Sequence, residues 1–154
     1  MKTPCADCGH EADRCFSQRH DGIRLFWSES VRCRNCGNAI EMDDDGFPPA
    51  EVREQLLADD GRYALLVIED STRRLHVGKI LHCDLDTTLE EVRRMKDRMP
   101  GRVYTGTRVE MDWLSNRLGG FGYSASLERV ANDPGSASID LSLRLRPSRP
   151  QNYG

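Results

Sequence analysis

The chain has 154 residues, of which 38% are hydrophobic and 31% charged, and its formal net charge is −3. That length suits one ordinary domain or two small ones and excludes a large multidomain enzyme. The sequence lacks an apolar run of the roughly 18 residues that suggest a membrane span, its N-terminus lacks the apolar core of a secretory signal, and its mixed charges disfavour general binding to nucleic acid. We therefore expect a cytoplasmic protein.

Two matching cysteine motifs open the chain. Cys5-x-x-Cys8 and Cys33-x-x-Cys36 are separated by 24 residues, and a glycine follows each motif. A tetrahedral zinc ion takes four thiolates at about 2.3 Å, and a glycine lets the chain turn through positive φ after each pair. The repeat predicts a zinc ribbon over residues 1–46, in which these four cysteines hold one structural Zn²⁺.

Other uses of the cysteines remain open at this stage. A disulfide framework requires an oxidising compartment, and thiol redox chemistry at one motif would not require the second. His10 or Cys15 could assist the metal site or replace a ligand. Otherwise Cys15 is expected to be a small buried side chain beside Phe16, and Cys83 a packed thiol rather than a nucleophile.

Three segments between and after the cysteine motifs differ in composition. Between the motifs, residues 23–27 are largely apolar and favour a strand. The acidic residues 41–46 are expected to form a solvated linker, because they lack the ligand spacing of a calcium loop. Residues 47–62 then predict a connecting helix, with prolines tolerated at its start and an Asp-Asp-Gly end.

Residues 63–130 predict a compact α+β domain. Thr88 with Glu91 and Thr107 with Glu110 fit capping boxes, although Thr87 with Glu90 offers another register for the first. The expected order is strand 63–68, a helix around Leu75 to Leu81, a helix from Leu89 to Met99, strand 102–106, a helix from Val109 to Leu118 and a strand from Tyr123. Three helices can then cover one face of a three-stranded sheet.

The apolar residues of the last two helices recur with helical spacing. They predict the buried faces Leu89, Val92, Met95 and Met99 for one helix, and Met111, Leu114 and Leu118 for the other, flanked by Val109 and Trp113. Residues 131–154 form a tail poor in apolar residues, with a linker over 131–140 and a flexible end. Leucines that alternate with serine and arginine allow one further edge strand at 139–146.

Residues 63–130 resemble the C-terminal domain of the bacterial ribosomal stalk protein and the related Clp-protease adaptor domain. The residues that carry the resemblance are Lys79-Ile80-Leu81-His82, Thr88-Leu89-Glu90-Glu91-Val92, Met99-Pro100, and Glu110, Leu114 and Leu118 before Gly119-Gly120. The resemblance implies a β-α-α-β-α-β sandwich, and in the stalk family a lysine-bearing helical face captures translational GTPases. Lys79 matches one such lysine, whereas His82 replaces an arginine and Gly78 a larger apolar residue. A stalk-type domain used outside the ribosomal stalk is therefore implied.

The charge distribution favours a binding role. Residues 1–46 carry six basic and nine acidic side chains, whereas residues 63–130 carry eleven basic and ten acidic ones. We expect a bacterial, non-enzymatic interaction or regulatory module without catalytic residues. Its protein partner would bind Lys79, His82, Arg93, Arg94 and Arg98. One alternative is nucleic-acid binding by the ribbon through Arg24, Arg32, Arg34, Phe26 and Trp27. Another is a toxin-neutralising, immunity-type protein.

Overall fold

The structure, a computed structural model, describes residues 1–69 and 73–131. These residues form four helices and two sheets, which confirms the predicted mixture of helix and strand. The chain divides into two compact units, the first comprising Met1–Leu56 and the second starting at Leu57. Within the described ranges, the helices are too short or too polar to cross a membrane. The edge strand allowed at 139–146 and the tail beyond Ala131 lie outside the described residues.

An antiparallel meander of four strands builds the first unit. The strands are β1 (Lys2–Pro4), β2 (Glu11–His20), β3 (Leu25–Cys33) and β4 (Ala39–Asp45), and they lie side by side in chain order. The turn between the two long strands is fixed by Asp21, whose carboxylate accepts the N–H groups of Ile23 and Arg24 at 2.9 and 2.7 Å. The result is a long hairpin of a ten-residue and a nine-residue strand.

The predicted acidic linker is instead the edge strand β4. Its Ile40 lies opposite Val31 and its Met42 opposite Glu29 in register with β3. All seven residues of β4 are exposed, so its acidic side chains stay in water while its backbone bonds to β3. Pairing with the neighbouring strand decides the structure here, because the acidic residues themselves disfavour strands.

The first sheet has one face covered in part and one face open. Glu29, only 8% exposed, binds Arg14 at 2.6 Å, and Arg14 also reaches Glu51 of helix α1 (Ala50–Asp60) at 2.8 Å. Side chains alternate between the two faces of a strand, so Cys15 lies on the opposite face from Arg14. Cys15 is exposed there, and the expectation that it is buried beside Phe16 was wrong.

The second unit is a three-stranded antiparallel sheet with three helices. Strand β5 (Arg62–Val67) lies between β6 (Gly101–Gly106) and β7 (Ala125–Val130). Helices α2 (Arg74–Leu85) and α3 (Leu89–Asp97) connect β5 to β6, and α4 (Arg108–Gly120) connects β6 to β7. The elements follow one another in the predicted order of strand, helix, helix, strand, helix, strand.

Both predicted capping boxes form. Thr88, not Thr87, caps α3, with Glu91 returning a bond to the Thr88 N–H at 2.6 Å. Thr107 caps α4: its hydroxyl accepts the Glu110 N–H at 3.1 Å, and the Glu110 carboxylate accepts the Thr107 N–H at 3.0 Å. The second box is buried, so its polar groups satisfy one another away from water.

Most of the predicted apolar faces are buried. Met95, Met99, Met111, Leu114, Leu118 and Trp113 are all at most 6% exposed. Val92 and Val109 are half-buried, and Leu89, the first residue of α3 after the Thr88 cap, has 76% of its surface exposed. Cys83 is also exposed, so the expectation of a packed thiol was wrong.

Candidate metal centre

The structure brings Cys5, Cys8, Cys33 and Cys36 together in a group that could hold a metal ion. Their four Sγ atoms all lie within 4.8 Å of one another. The Cys5–Cys36 and Cys8–Cys33 sulfurs are 3.7 and 3.6 Å apart, and a tetrahedron with metal–sulfur bonds of about 2.3 Å has edges of about 3.8 Å. A disulfide would require about 2.05 Å, and all six cysteines of the chain are free.

The first cysteine motif forms a tight turn between β1 and β2. The Cys5 N–H donates to the His10 carbonyl at 2.8 Å, and the Gly9 N–H donates to the Cys5 carbonyl at 2.9 Å. Gly9 adopts a φ of 70°, a left-handed conformation that favours glycine. The backbone therefore folds both sulfurs of this motif toward one point.

The second motif repeats the same turn between β3 and β4. The Cys33 N–H donates to the Asn38 carbonyl at 2.8 Å, the Gly37 N–H donates to the Cys33 carbonyl at 3.0 Å, and Gly37 has a φ of 76°. Each bond corresponds to one in the first motif. The prediction that the repeated glycines permit two equivalent turns is confirmed.

The long hairpin brings the two turns together. Ala12, just after the first motif, pairs with Cys33 in register. Cys5, Ala12 and Cys33 form a small buried cluster against which Cys8 and Val31 pack. This cluster gives one side of the sulfur site an apolar wall, while Cys36 remains exposed.

The surroundings of the four sulfurs favour the thiolate of Cys5 and disfavour that of Cys36. Hydrogen bonds from the backbone N–H groups of Cys8 and Asp7 lower the pKa of Cys5 to about 6. At Cys36 the Asn38 N–H also lowers the pKa, but hydrogen bonds with the neighbouring thiols, together with partial desolvation of the sulfur, raise it to about 12. The group can thus carry negative charge at neutral pH, and a cation would stabilise the remaining thiolates.

Asn35 is a neighbour of the site that the sequence analysis missed. Its amide Nδ2 lies 3.7 Å from the Cys8 sulfur and 3.3 Å from His10 Nδ1. His10 Nδ1 is also 3.2 Å from the Cys8 carbonyl oxygen, and neither His10 nor Cys15 belongs to the ligand group. An asparagine inside the second motif carries no spacing signal, so only the folded turn shows this contact.

The predicted partner-binding residues lie on α2 and α3 or at the end of α3. Lys79, Arg93 and Arg94 are exposed, whereas His82 and Arg98 are half-buried. Arg94 lies 3.5 Å from the Glu90 carboxylate, one helical turn earlier. Lys79, Arg93 and Arg94 are thus more accessible to a partner than His82 and Arg98 are.

The three arginines considered for nucleic-acid binding each have a carboxylate neighbour. The pairs are Arg24–Asp45 at 3.8 Å, Arg32–Glu41 at 3.5 Å and Arg34–Asp13 at 3.0 Å. A phosphate would have to compete with these acidic groups.

Comparison of the chain with protein-family models, with curated proteins and with solved structures finds no match.

Proposed function

We propose that this protein is a non-enzymatic interaction module, in which a structural Zn²⁺ holds the first unit and the α2–α3 face of the second unit binds an acidic protein. The observation that carries the binding role is the close crossing of α2 and α3, beside which two exposed cationic side chains stand. The zinc role rests on the four-sulfur cluster.

Zinc is the metal that this donor set suits best. Four thiolates complete its tetrahedral shell and leave no position for a reactive water, which favours a structural role over catalysis. The metal would also stabilise a unit whose buried cluster around Cys5, Ala12 and Cys33 is small. With four thiolates the filled site carries a charge of about −2, which the exposed Cys36 side leaves in contact with solvent.

The α2–α3 crossing supports the binding face. A Cβ placed on Gly78 would lie 3.2 Å from Val92 Cγ1, so the two helices meet at these residues. Lys79 and Arg93 follow the two contact residues in sequence, and both are exposed. Two cations beside one helix crossing suit an acidic partner, in keeping with the resemblance to the stalk-type domain.

The same two helices and the end of α3 also carry exposed apolar side chains and a further arginine. Leu75 and Leu89 are 54% and 76% exposed, which is unusual for large apolar residues. Burial and then the like charge of Arg94 lower the pKa of Arg98, so a carboxylate from a partner would relieve both effects. Large apolar side chains and arginines are both typical of protein interfaces. A toxin-neutralising role would be one form of such binding.

Affinity capture from the source cells tests the binding role. Wild-type protein should retain a partner that Lys79→Glu or Arg93→Glu loses at least about tenfold, since that factor corresponds to about 1.4 kcal/mol. Arg108→Glu is the matched control, because it makes the same charge change at another exposed position of the second unit. Equal capture by all variants would contradict the proposal, and capture abolished by nuclease would favour the nucleic-acid alternative.

A further inference from the structure

We propose that the outer edge of β4 and the cavity beside it form a docking site for an extended basic segment of another protein, which adds to the first sheet as a further strand. In the described ranges, β4 pairs with β3 alone, and all seven of its residues are exposed. An exposed edge offers backbone N–H and C=O groups to any extended chain. The side chains around the edge therefore decide which chain fits, and they select a charge opposite to that selected by the α2–α3 face.

A cavity of about 300 Å³ lies on the open face of the first sheet and reaches β4. Its side chains on that face come from two neighbouring rows paired across β2, β3 and β4: the first row holds Ser17, Ser28 and Asp43, and the second holds Arg19, Phe26 and Asp45. The hydroxyl oxygens of Ser17 and Ser28 are 2.6 Å apart, and the Arg19 guanidinium carbon lies 4.2 Å from the centre of the Phe26 ring. Hydroxyl groups, an aromatic ring and two carboxylates thus surround one space.

Asp43 is the carboxylate of this face that has room for a new cation. Its neighbours on the same face already have arginines, since Glu41 lies 3.5 Å from Arg32 and Asp45 lies 3.8 Å from Arg24. Among the described residues, Asp43 makes no ion pair. An added strand would lie about 4.8 Å from β4, so a lysine or arginine opposite Asp43 would reach both the carboxylate and the cavity with its long side chain.

The other face of β4 suits apolar side chains. Ile40 and Met42 lie on it, opposite Val31 and Glu29, and remain 42% and 48% exposed. In an added strand, the residues one and three positions from the basic residue would lie beside Met42 and Ile40. The fitting segment therefore has a lysine or arginine, with apolar residues at the first and third positions to one side of it.

The charges of β4 disfavour a second copy of this chain as the occupant. Four of its seven residues are acidic and none is basic. Pairing of two β4 strands would place carboxylates opposite carboxylates, which is destabilising. Residues 1–46 as a whole carry six basic and nine acidic side chains, so a basic segment would also be attracted from a distance.

Binding of a synthetic peptide to the full-length protein tests the proposal. The probe has nine residues, with lysine at the centre, valines at the even positions and threonines at the remaining odd positions, so that either strand direction presents the same pattern. Its fluorescence anisotropy should rise as protein is added. Glutamate in place of the lysine, or two consecutive prolines beside the lysine, should each weaken binding at least about tenfold, by repulsion or by loss of strand N–H groups.

Replacement of Asp43 tests the contact with the cation. Asp43→Asn should weaken binding of the lysine peptide at least about threefold, and should leave binding of a peptide with threonine in place of the lysine unchanged. Asp97→Asn is the matched control, because it removes the charge of an exposed aspartate in α3. Metal content and far-ultraviolet circular dichroism establish that each variant remains folded. Equal loss for both peptides would contradict the contact.

Hydrogen–deuterium exchange locates the bound peptide. The outward-pointing amides of residues 39–45 should exchange rapidly in the free protein and at least about tenfold more slowly with the lysine peptide, whereas residues 125–130 of β7 should not change. Slow exchange of all amides at 39–45 in the free protein would show that the edge is already occupied and would overturn the proposal. Absence of binding, equal binding of the lysine and glutamate peptides, or protection of β7 alone would overturn it as well.

Discussion

Gly78 of α2 and Val92 of α3 meet so closely that a Cβ on Gly78 would stand 3.2 Å from Val92 Cγ1. Glycine inside a helix is about 1 kcal/mol less favourable than alanine, so its presence there has a local penalty. The close contact between α2 and α3 compensates for this penalty, because Val92 occupies the space that a side chain on residue 78 would take. The resemblance to the stalk-type domain had implied a larger apolar residue at this position.

Gly78→Ala should therefore stabilise the protein by clearly less than the usual gain of about 1 kcal/mol, or destabilise it, because Val92 must move. Urea unfolding followed by circular dichroism measures the change. Gly119→Ala is the matched control, since Gly119 lies inside α4 and a Cβ there meets nothing within 4 Å. When Val92 is also replaced by alanine, Gly78→Ala should give the full stabilisation of about 1 kcal/mol. An equal change in unfolding free energy with Val92 present and with Val92→Ala would refute the contact.

Cys36→Ser should abolish stoichiometric zinc binding and lower the thermal midpoint of the first unit, because three thiolates no longer neutralise and enclose the ion. Cys15→Ser is the matched control: it changes an exposed cysteine of the same sheet that lies outside the ligand group. Native mass spectrometry should find one zinc per chain in the wild type and the control. Metal-free wild-type protein with an unchanged fold would contradict the zinc site.

Acid should release the metal. Backbone hydrogen bonds lower the pKa of Cys5 from 9.0 to about 6 in the folded chain. The thiolate therefore stabilises the folded state fully above pH 9.0, and this stabilisation is lost as the pH falls through about 6. Bound metal competes with protons for all four sulfurs, which places the midpoint of release below that value. A zinc-sensitive dye read from about pH 7 to about pH 4 measures the midpoint.

The same titration tests Asn35. Asn35→Ala removes a donor 3.7 Å from the Cys8 sulfur, so metal release should begin at a higher pH than in the wild type. Asn116→Ala, an exposed change in α4, serves as the control. If the two variants release zinc at the same pH, the Asn35 amide has no effect on the site.

Thr107→Ala should destabilise the second unit by about 1–2 kcal/mol, more than Thr88→Ala. Both hydroxyls accept an N–H from the third residue of their helix, but the box at Thr107 is buried. Removing the Thr107 hydroxyl leaves the Glu110 N–H without that partner away from water, whereas water can reach the corresponding group after Thr88→Ala. Comparable losses in chemical denaturation would show that burial does not matter here.

The sequence predicted the elements whose signals are local. The two cysteine turns and the Thr88 and Thr107 caps depend on residues within a few positions of one another, and all four form. Strand β4 was missed because its acidic residues resemble a linker and only β3 makes them a strand. The exposed positions of Cys15 and Leu89 follow from strand alternation and from the exact start of a helix, which composition does not specify.

The in-register pairing of Ala12 with Cys33 has a consequence for how metal is acquired. In an open chain, closing the segment from the first motif to the second would carry a loop-closure entropy that grows with the logarithm of its length. Pairing of β2 with β3 closes that loop by itself, so a bound ion would stabilise two turns that the sheet already holds side by side.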